Sequence, residues 1–293
     1  MSNCLSTTPT VYGPVISRRL GASLGINLFP ADRRICSYDC VYCECGSPRA
    51  CAGDARAVRF PPVDELRSET DRCFRDRSRR GERVDAITFA GNGEPTVYPW
   101  FPAAVEVVQR LRDVYFPDVP LAIFSNATRL REAAIRNAMR HFDRRFMKVD
   151  AGDEKTFRLV DRPMAPVSLD EIVAAIADLD SVELSTAVVE GSVCNISSLM
   201  SEGFVSVVKK IKPIGLYLYP IDRPAASDAL ATADMPTLEV IRAFLQDRVS
   251  VPVMLLQAKK NRPDWYSEAY GRTHHRRVPT LYTPLMHGAH ATA

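Results

Sequence analysis

The sequence lacks the features that would point directly to a membrane or a highly charged partner. Its formal net charge is only +3 and its isoelectric point is near 8.4, well short of the strongly basic balance typical of nucleic-acid-binding domains. No uninterrupted apolar run approaches the roughly 20 residues needed to cross a bilayer, and the first residues lack the basic and apolar stretches of a secretory signal. These absences predict a cytoplasmic protein without membrane association.

Histidine is also scarce, which limits the metal sites the chain could form. Four of the five histidines follow Tyr270, and the adjacent His274 and His275 lack the i, i+4 spacing of a helical metal pair. No internal repeat or low-complexity linker interrupts the chain. Its 293 residues, 46% of them hydrophobic, are enough for one α/β domain of barrel size.

Apolar strand-like runs alternate with amphipathic segments, a pattern typical of βα units around a parallel sheet. The predicted strands are residues 22–29, 85–90, 121–125, 145–150, 182–189 and 214–219. The predicted helices are residues 63–79, 100–115, 130–142, 169–179, 196–210 and 238–248. The pattern predicts a partial (β/α)6 barrel over residues 22–249, with extensions at 1–21 and 250–293. Functional side chains of such folds lie at the C-terminal ends of the strands.

Half of the eight cysteines lie in one short loop after the first predicted strand: Cys36, Cys40, Cys43 and Cys45. In a reducing compartment, clustered cysteines are metal ligands or reactive thiols more often than disulfides. Three thiolates in a tight loop suit one face of a cubane iron–sulfur cluster and leave one iron without a protein ligand. Structural zinc and inert thiols are the less favoured alternatives. The spacing assigns no role to Cys45 or Cys51.

The spacing of Cys36, Cys40 and Cys43, with the aromatic Tyr42 before the last cysteine, resembles the signature of the radical S-adenosylmethionine (SAM) superfamily. The resemblance implies one [4Fe–4S] cluster on the three cysteines, with Tyr42 among the cofactor-binding residues. It also implies that SAM chelates the open iron and is cleaved reductively to a 5′-deoxyadenosyl radical, which removes a hydrogen atom from the substrate. The Ser-Arg-Arg-Leu-Gly segment at 17–21 is similar to that of stand-alone proteins related to wyosine-type transfer-RNA base synthases.

The second predicted strand is followed by a glycine-rich loop, Gly-Asn-Gly-Glu-Pro at 91–95. Its glycines let the backbone approach a ligand, and its carboxylate can accept a hydrogen bond from an ammonium group; turn chemistry alone would equally predict a tight turn. In its position, the loop resembles the superfamily motif that holds the methionine amino group, with asparagine replacing a glycine. The resemblance implies cosubstrate contacts by Gly91, Asn92, Gly93 and Glu94.

Polar residues at the ends of later strands are further candidates. Ser125 and Asn126 resemble a family position that contacts the cosubstrate, and the alternative is an N-cap for a helix beginning near Leu130. Lys148 and Asp150 share one face of the fourth predicted strand, which predicts either an inward ion pair or contacts with the ribose or the substrate.

Arginines outside the strands are candidate anion-binding residues. Arg162 and Arg223 lie in two copies of Asp-Arg-Pro, which would anchor an anionic substrate or form local turns. The C-terminal segment contains three further arginines, Arg272, Arg276 and Arg277. They would contact RNA phosphate, or the segment is a tail without function.

The wyosine reaction itself is not expected. The related synthases carry a second cluster on upstream cysteines or a flavodoxin-like domain, whereas only Cys4 lies upstream here. Radical modification of RNA, radical modification of a peptide or protein, and activation of a glycyl-radical enzyme remain open. The non-enzymatic alternative is an iron–sulfur regulatory or binding module. The resemblance also implies an external one-electron donor of flavodoxin or ferredoxin type.

Overall fold

The computed structural model describes residues 8–31, 33–47, 59–221 and 229–257. The strands are β1 Val11–Ser17, β2 Gly21–Ile26, β3 Ala86–Phe89, β4 Leu121–Ser125, β5 Arg144–Lys148, β6 Val182–Gly191, β7 Gly215–Pro220, β8 Leu230–Thr232 and β9 Val253–Leu255. The helices are α1 Val63–Arg79, α2 Phe101–Tyr115, α3 Ala133–Met139, α4 Glu154–Val160, α5 Leu169–Ala177, α6 Ile196–Leu199, α7 Glu202–Ile211 and α8 Met235–Gln246. A 3-10 turn, Pro95–Val97, follows β3.

The main sheet has the strand order β1-β2-β3-β4-β5-β6-β7-β9. β1 is antiparallel to β2, and every later neighbour along this path is parallel. Because β2 to β7 follow one another in chain order with at least one helix between each consecutive pair, the predicted (β/α)6 arrangement is confirmed. Among the described residues the edge strands β1 and β9 do not pair with each other, so the barrel is partial.

The structure extends the sheet beyond the predicted boundaries. β1 lies within the predicted N-terminal extension and β9 within the predicted C-terminal one. β1 was not predicted because it contains the Gly13–Pro14 step, and proline within a strand occurs only in edge strands or at bulges. With three residues, β9 is too short to show a period.

Three predicted elements differ from the observed ones. The helix predicted at 130–142 is only α3, since Leu130 and Glu132 form turns instead. The helix predicted at 196–210 is divided into α6 and α7, because Ser201 accepts from Phe204 N and starts a new helix. β5 ends at Lys148, so Asp150 lies just beyond the strand. The short helix α4, capped by Asp153, was not predicted.

The two faces of the sheet are buried by different partners. One face packs against the helices, where the rings of Phe89 and Phe101 meet that of Phe142. The opposite face carries a smaller apolar cluster that includes Phe146, and the guanidinium of Arg19 lies over four aromatic rings there, at 4.7–5.8 Å from their centroids. No helix in the described ranges is long and apolar enough to cross a membrane.

Candidate active site

The cysteine loop is held against the glycine-rich loop by a parallel bridge between Ile35 and Gly93. Ile35 N donates to Asn92 O at 2.8 Å, and Glu94 N donates to Ile35 O at 3.0 Å. Gly93 has φ +150°, and a Cβ at this position would lie 1.7 Å from Ile35 O. Only glycine permits this approach. The bridge therefore places the loop after β3 directly beside Cys36.

A second segment supports the other side of the cysteine loop. Backbone hydrogen bonds of 2.9–3.1 Å join residues 37–41 to residues 160–164, the end of α4 and the turn after it. Arg162 contributes its carbonyl to this contact, while its exposed side chain lines an outer cleft of about 400 Å³ with Asp39, Arg158 and Pro163. The Arg162 backbone thus positions the loop.

The three signature thiols are close enough to influence one another electrostatically. Burial raises the pKa of Cys36 to about 11 and the pKa of Cys40 well above its usual value, and the charges of the three thiols act on one another. No group of three Cys, His, Asp or Glu side chains in the described part of the chain converges as a single metal ion would require. Three thiols on one loop suit a cluster that takes one cysteine per iron.

The fourth cysteine of the loop lies against the third. A hydrogen bond with Cys45 and burial raise the pKa of Cys43, and Cys45 Sγ approaches Gly91 O at 3.5 Å. Cys45 thus contacts both the cysteine loop and the glycine-rich loop, although its chemical role is not defined by these contacts.

Arg34 is a residue that the sequence interpretation missed. It is 4% exposed, and its Nε and Nη1 are buried without hydrogen-bond partners among the described residues. Nη2 donates to Tyr38 O at 3.2 Å. The charges that act most strongly on the guanidinium are those of the four thiols of the loop. Buried, unsatisfied donors beside three thiol ligands fit a group that supplies negative charge and sulfur acceptors, as an iron–sulfur cluster does.

Glu94 joins the glycine-rich loop to the end of β4. Its Oε1 accepts from Thr96 N at 3.2 Å, Thr96 Oγ1 at 2.7 Å and Ser125 Oγ at 2.8 Å, and its Oε2 accepts from Asn126 N at 2.7 Å. Burial raises the pKa of Glu94, and these hydrogen bonds oppose the increase. Because Oε2 has only one of these donors, it retains acceptor capacity for an ammonium group.

Asn126 and Asn92 stabilise loops in this structure. Asn126 Nδ2 donates to Ser37 Oγ at 2.9 Å and lies 3.8 Å from Cys36 Sγ, which links β4 to the cysteine loop. Asn126 is not the predicted N-cap, since α3 begins at Ala133. The Asn92 amide donates to the carbonyls of residues 30 and 31 at 3.2 and 3.1 Å, so this side chain braces the loop after β2.

A buried charge cluster lies next to the cysteine loop. Lys148 Nζ pairs with Asp150 and lies 2.8 Å from Asp161 Oδ1. It also lies 4.2 Å from the centroid of the Tyr42 ring, whose hydroxyl donates to Asp150. Asp150 Oδ1 accepts from Ala187 N at 2.7 Å. The predicted Lys148–Asp150 ion pair is therefore present, and Asp161 joins it across the unpredicted helix α4.

Burial and the neighbouring charges shift the pKa values of Lys148 and Asp161 in this cluster. Burial lowers the pKa of Lys148, but the charges of Asp150 and Asp161 outweigh it, so the pKa lies well above its usual value. Burial raises the pKa of Asp161 to about 8, although Lys148 lowers it. One ammonium between two buried carboxylates leaves an excess negative charge, which a proton on Asp161 would remove.

Several predicted residues lie outside the described residues: Cys4, Cys51, Arg223, Arg272, Arg276 and Arg277. Their assignments stay predictions.

The model of the Radical SAM superfamily matches residues 33–192, a range that contains the cysteine loop, the glycine-rich loop and the charge cluster. The chain belongs to the radical SAM superfamily. It therefore uses a [4Fe–4S] cluster and SAM as cofactors, and it is an enzyme.

Two curated relatives illustrate the range of sequence similarity. A UPF0026 protein of Methanocaldococcus jannaschii is 32% identical over 80% of this chain and 69% of its own length. A protein of Brachyspira hyodysenteriae named GTPase Obg is 27% identical over 84% of this chain but only 35% of its own length. The chain thus spans about a third of that relative.

Solved structures share the fold at low sequence identity. A radical SAM methyltransferase from Sphaerobacter thermophilus has a TM-score of 0.59 and 13% identity, covering 85% of this chain and 69% of that one. Streptococcus suis SuiB bound to S-adenosylmethionine has a TM-score of 0.56 and 13% identity, covering 80% and 50%. TYW1 with a lysine-pyruvate adduct bound has a TM-score of 0.53 and 11% identity, covering 78% and 74%.

Proposed function

We propose that this enzyme reductively cleaves SAM and modifies a substrate at the C-terminal end of the barrel, with RNA as the favoured substrate class. The observation that carries the proposal is the Ile35–Gly93 bridge. It joins two loops that follow different strands and carry different parts of the chemistry. A cluster on the first loop and a methionine amino group on the second would then be neighbours.

In this proposal Cys36, Cys40 and Cys43 are the cluster ligands. The cluster, when bound, supplies the electron that cleaves SAM to a 5′-deoxyadenosyl radical. Glu94 accepts from the methionine ammonium through Oε2, while Gly91 and Gly93 let the backbone approach it. The hydrogen bonds between the two loops support these assignments, because they bring the segment with the thiols next to the segment with the carboxylate.

Residues at the ends of β4 and β5, with two more from the cysteine loop and the glycine-rich loop, complete the proposed site. Ser125 and Asn126 hold Glu94 in position and offer polar groups to the cosubstrate, and Asn92 acts through its backbone and its contacts with the loop after β2. Tyr42 and Asp150 line the same region, where Asp150 can accept from a ribose hydroxyl. Their contacts through Asn126–Ser37 and Tyr42–Asp150 support one connected site.

Lys148 is proposed to act as a cation, not as a nucleophile. Its paired carboxylates favour the ammonium form, and an ammonium has no lone pair with which to form a covalent adduct. This argues against a lysine adduct at Lys148 of the kind in the name of the TYW1 structure. A protonated Lys148 suits an anionic or strongly polar substrate group. Arg162, whose side chain lines the outer cleft, and Arg223 are proposed as further anchors.

Peptide modification is the second proposed function. The SuiB fold was also solved with precursor peptide SuiA, with a TM-score of 0.57 and 12% identity over 82% of this chain and 50% of that one. In either case we propose that a flavodoxin- or ferredoxin-like protein supplies electrons and that the enzyme is cytoplasmic.

The test is an anaerobic incubation of the reconstituted enzyme with SAM, dithionite and cell extract divided into RNA, peptide and small-molecule fractions. The RNA fraction is expected to accelerate release of 5′-deoxyadenosine above the rate without substrate, and a Cys40→Ala variant is the control for cluster-independent breakdown. Acceleration by the peptide fraction alone would replace the favoured substrate class, and no cleavage in any fraction would refute the activity.

A further inference from the structure

Arg34 is buried without the partners that a guanidinium ordinarily has. Only 4% of the residue is exposed, and among the described residues one hydrogen bond, from Nη2 to Tyr38 O at 3.2 Å, is formed. Nε and Nη1 are fully buried and donate to no atom of the residues that the structure describes. A buried cation with two unmade hydrogen bonds is costly, because both its charge and its N–H groups have lost their water.

The surroundings of Arg34 identify what could offset that cost. The charges that act on its guanidinium most strongly belong to Cys43, Cys36, Cys40 and Cys45, in that order. Neutral thiols cannot balance a buried cation, whereas thiolates that ligate iron can. A [4Fe–4S] cluster in its oxidised 2+ state carries, with three thiolates, one net negative charge, and reduction adds a second.

We propose that Arg34 is the counter-ion of the cluster, that its Nε and Nη1 donate to sulfur atoms of the cluster or its thiolate ligands, and that it makes the cluster easier to reduce. The proposal rests on the assignment of Cys36, Cys40 and Cys43 as the ligands.

The direction of the effect follows from charge. A nearby fixed cation stabilises the reduced cluster more than the oxidised one, since the reduced form carries one more negative charge. Hydrogen bonds to cluster sulfur act in the same direction, because they too are stronger to the more negative form. Removing Arg34 therefore makes the reduction potential more negative.

The first test is a redox titration of the reconstituted protein, with the midpoint read from the electron paramagnetic resonance signal of the reduced cluster. Arg34→Gln should lower the equilibrium constant for one-electron reduction at least ten-fold, which equals about 59 mV. Arg34→Lys keeps the charge and should shift the midpoint less. Arg33→Gln is the matched control, because Arg33 carries the same charge one position earlier but is only partly buried; it should shift the midpoint by less than Arg34→Gln.

The second test measures thermal unfolding, first of the apoprotein and then after cluster assembly. Within the described part of the chain no carboxylate pairs with Arg34 in the apoprotein, so Arg34→Met should leave the thermal unfolding temperature unchanged or raise it. The increase in that temperature on cluster assembly should be smaller in the variant than in wild type. A variant that holds no cluster but has an apoprotein as stable as wild type also supports the proposal, since the loss is then specific to the loaded state.

Two results overturn the proposal. The first is an Arg34→Gln midpoint shifted no further than that of Arg33→Gln. The second is an Arg34→Met apoprotein that unfolds at a lower temperature than the wild-type apoprotein, which would assign Arg34 to holding the loop through Tyr38. Failure of the wild-type protein to bind iron is a separate outcome, because it refutes the proposed cysteine ligands before any Arg34 variant is compared.

Discussion

Replacing Glu94 by glutamine tests whether this carboxylate holds the site together in addition to binding cosubstrate. Glu94 accepts four hydrogen bonds at 2.7–3.2 Å from Thr96, Ser125 and Asn126. If the oxygen of the glutamine takes the place of Oε1, it keeps the three donors there. Its NH₂ group then takes the place of Oε2 and faces the Asn126 N–H. The variant then loses one charge-assisted bond and sets two buried donors against each other.

The magnitude follows from these contacts. A lost hydrogen bond to a charged group costs about 1.5–3 kcal/mol, and an unsatisfied buried donor adds about 1 kcal/mol or more. The expected loss in free energy of unfolding is therefore on the order of 2–4 kcal/mol. The expected loss in SAM affinity for an ammonium contact of the same kind is roughly ten- to a hundred-fold.

Anaerobic urea unfolding of the reduced apoprotein measures the stability term without cofactor. We expect a lower midpoint at an unchanged slope. Glu132→Gln is the control, because Glu132 pairs with Arg129 at the surface, where such pairs contribute about 0–1 kcal/mol. A Glu94→Gln midpoint equal to that of the control would refute the bracing role, and unchanged SAM affinity in a folded variant would refute the ammonium contact.

Three further predictions concern other parts of the chain. Gly93→Ala places a Cβ 1.7 Å from Ile35 O, so we expect loss of bound iron on reconstitution; full iron content would contradict the bridge. Lys148→Met leaves Asp150 and Asp161 buried without their cation and should lower the free energy of unfolding in urea by about 3–5 kcal/mol. Adding Asp161→Asn should restore part of this stability. A further, additive loss in the double variant would contradict a charge balance among these three residues. Truncation after Tyr270 should preserve iron and uncoupled SAM cleavage while reducing substrate turnover, and the reduction should become smaller as salt rises, because salt weakens the phosphate contacts of the full-length protein; full turnover by the truncated protein at every salt concentration would show that the tail does not contribute to substrate binding.

The parts of the site that could be predicted are those carried by short contiguous motifs. The spacing of Cys36, Cys40 and Cys43 and the glycine-rich loop 91–95 each occupy a few adjacent residues, so their chemistry is readable without a fold. The ion pair between Lys148 and Asp150 was predictable for the same reason, because the two residues share a strand face.

The missed residues depend on long-range contacts or burial. Asp161 reaches Lys148 only because α4, a helix of seven residues, turns the chain back onto the cysteine loop, and such a short helix has almost no periodic signal. Arg34 is one of two adjacent arginines, and nothing in the sequence distinguishes the buried one from its partly exposed neighbour. The contacts of Asn126 with Ser37 and of Asn92 with the carbonyls of residues 30 and 31 likewise depend on which groups the folded loops bring within reach.

The fold was predictable where strands and helices are long enough to show a period. The parallel strands β2 to β7 all fall within predicted runs or overlap them. The edges were not predictable, because β1 contains a glycine–proline step and β9 has three residues. In both cases hydrogen bonds to a neighbouring strand, and not local preference, define the element.

Cleavage of SAM by the anaerobically reconstituted enzyme tests the central claim most directly. With dithionite and about four iron per chain, the wild-type protein and Cys45→Ala should both release 5′-deoxyadenosine, while Cys36→Ala, Cys40→Ala and Cys43→Ala should bind no cluster and release none. Continued release of 5′-deoxyadenosine by a variant that lacks all three cysteines would contradict the assignment of the site.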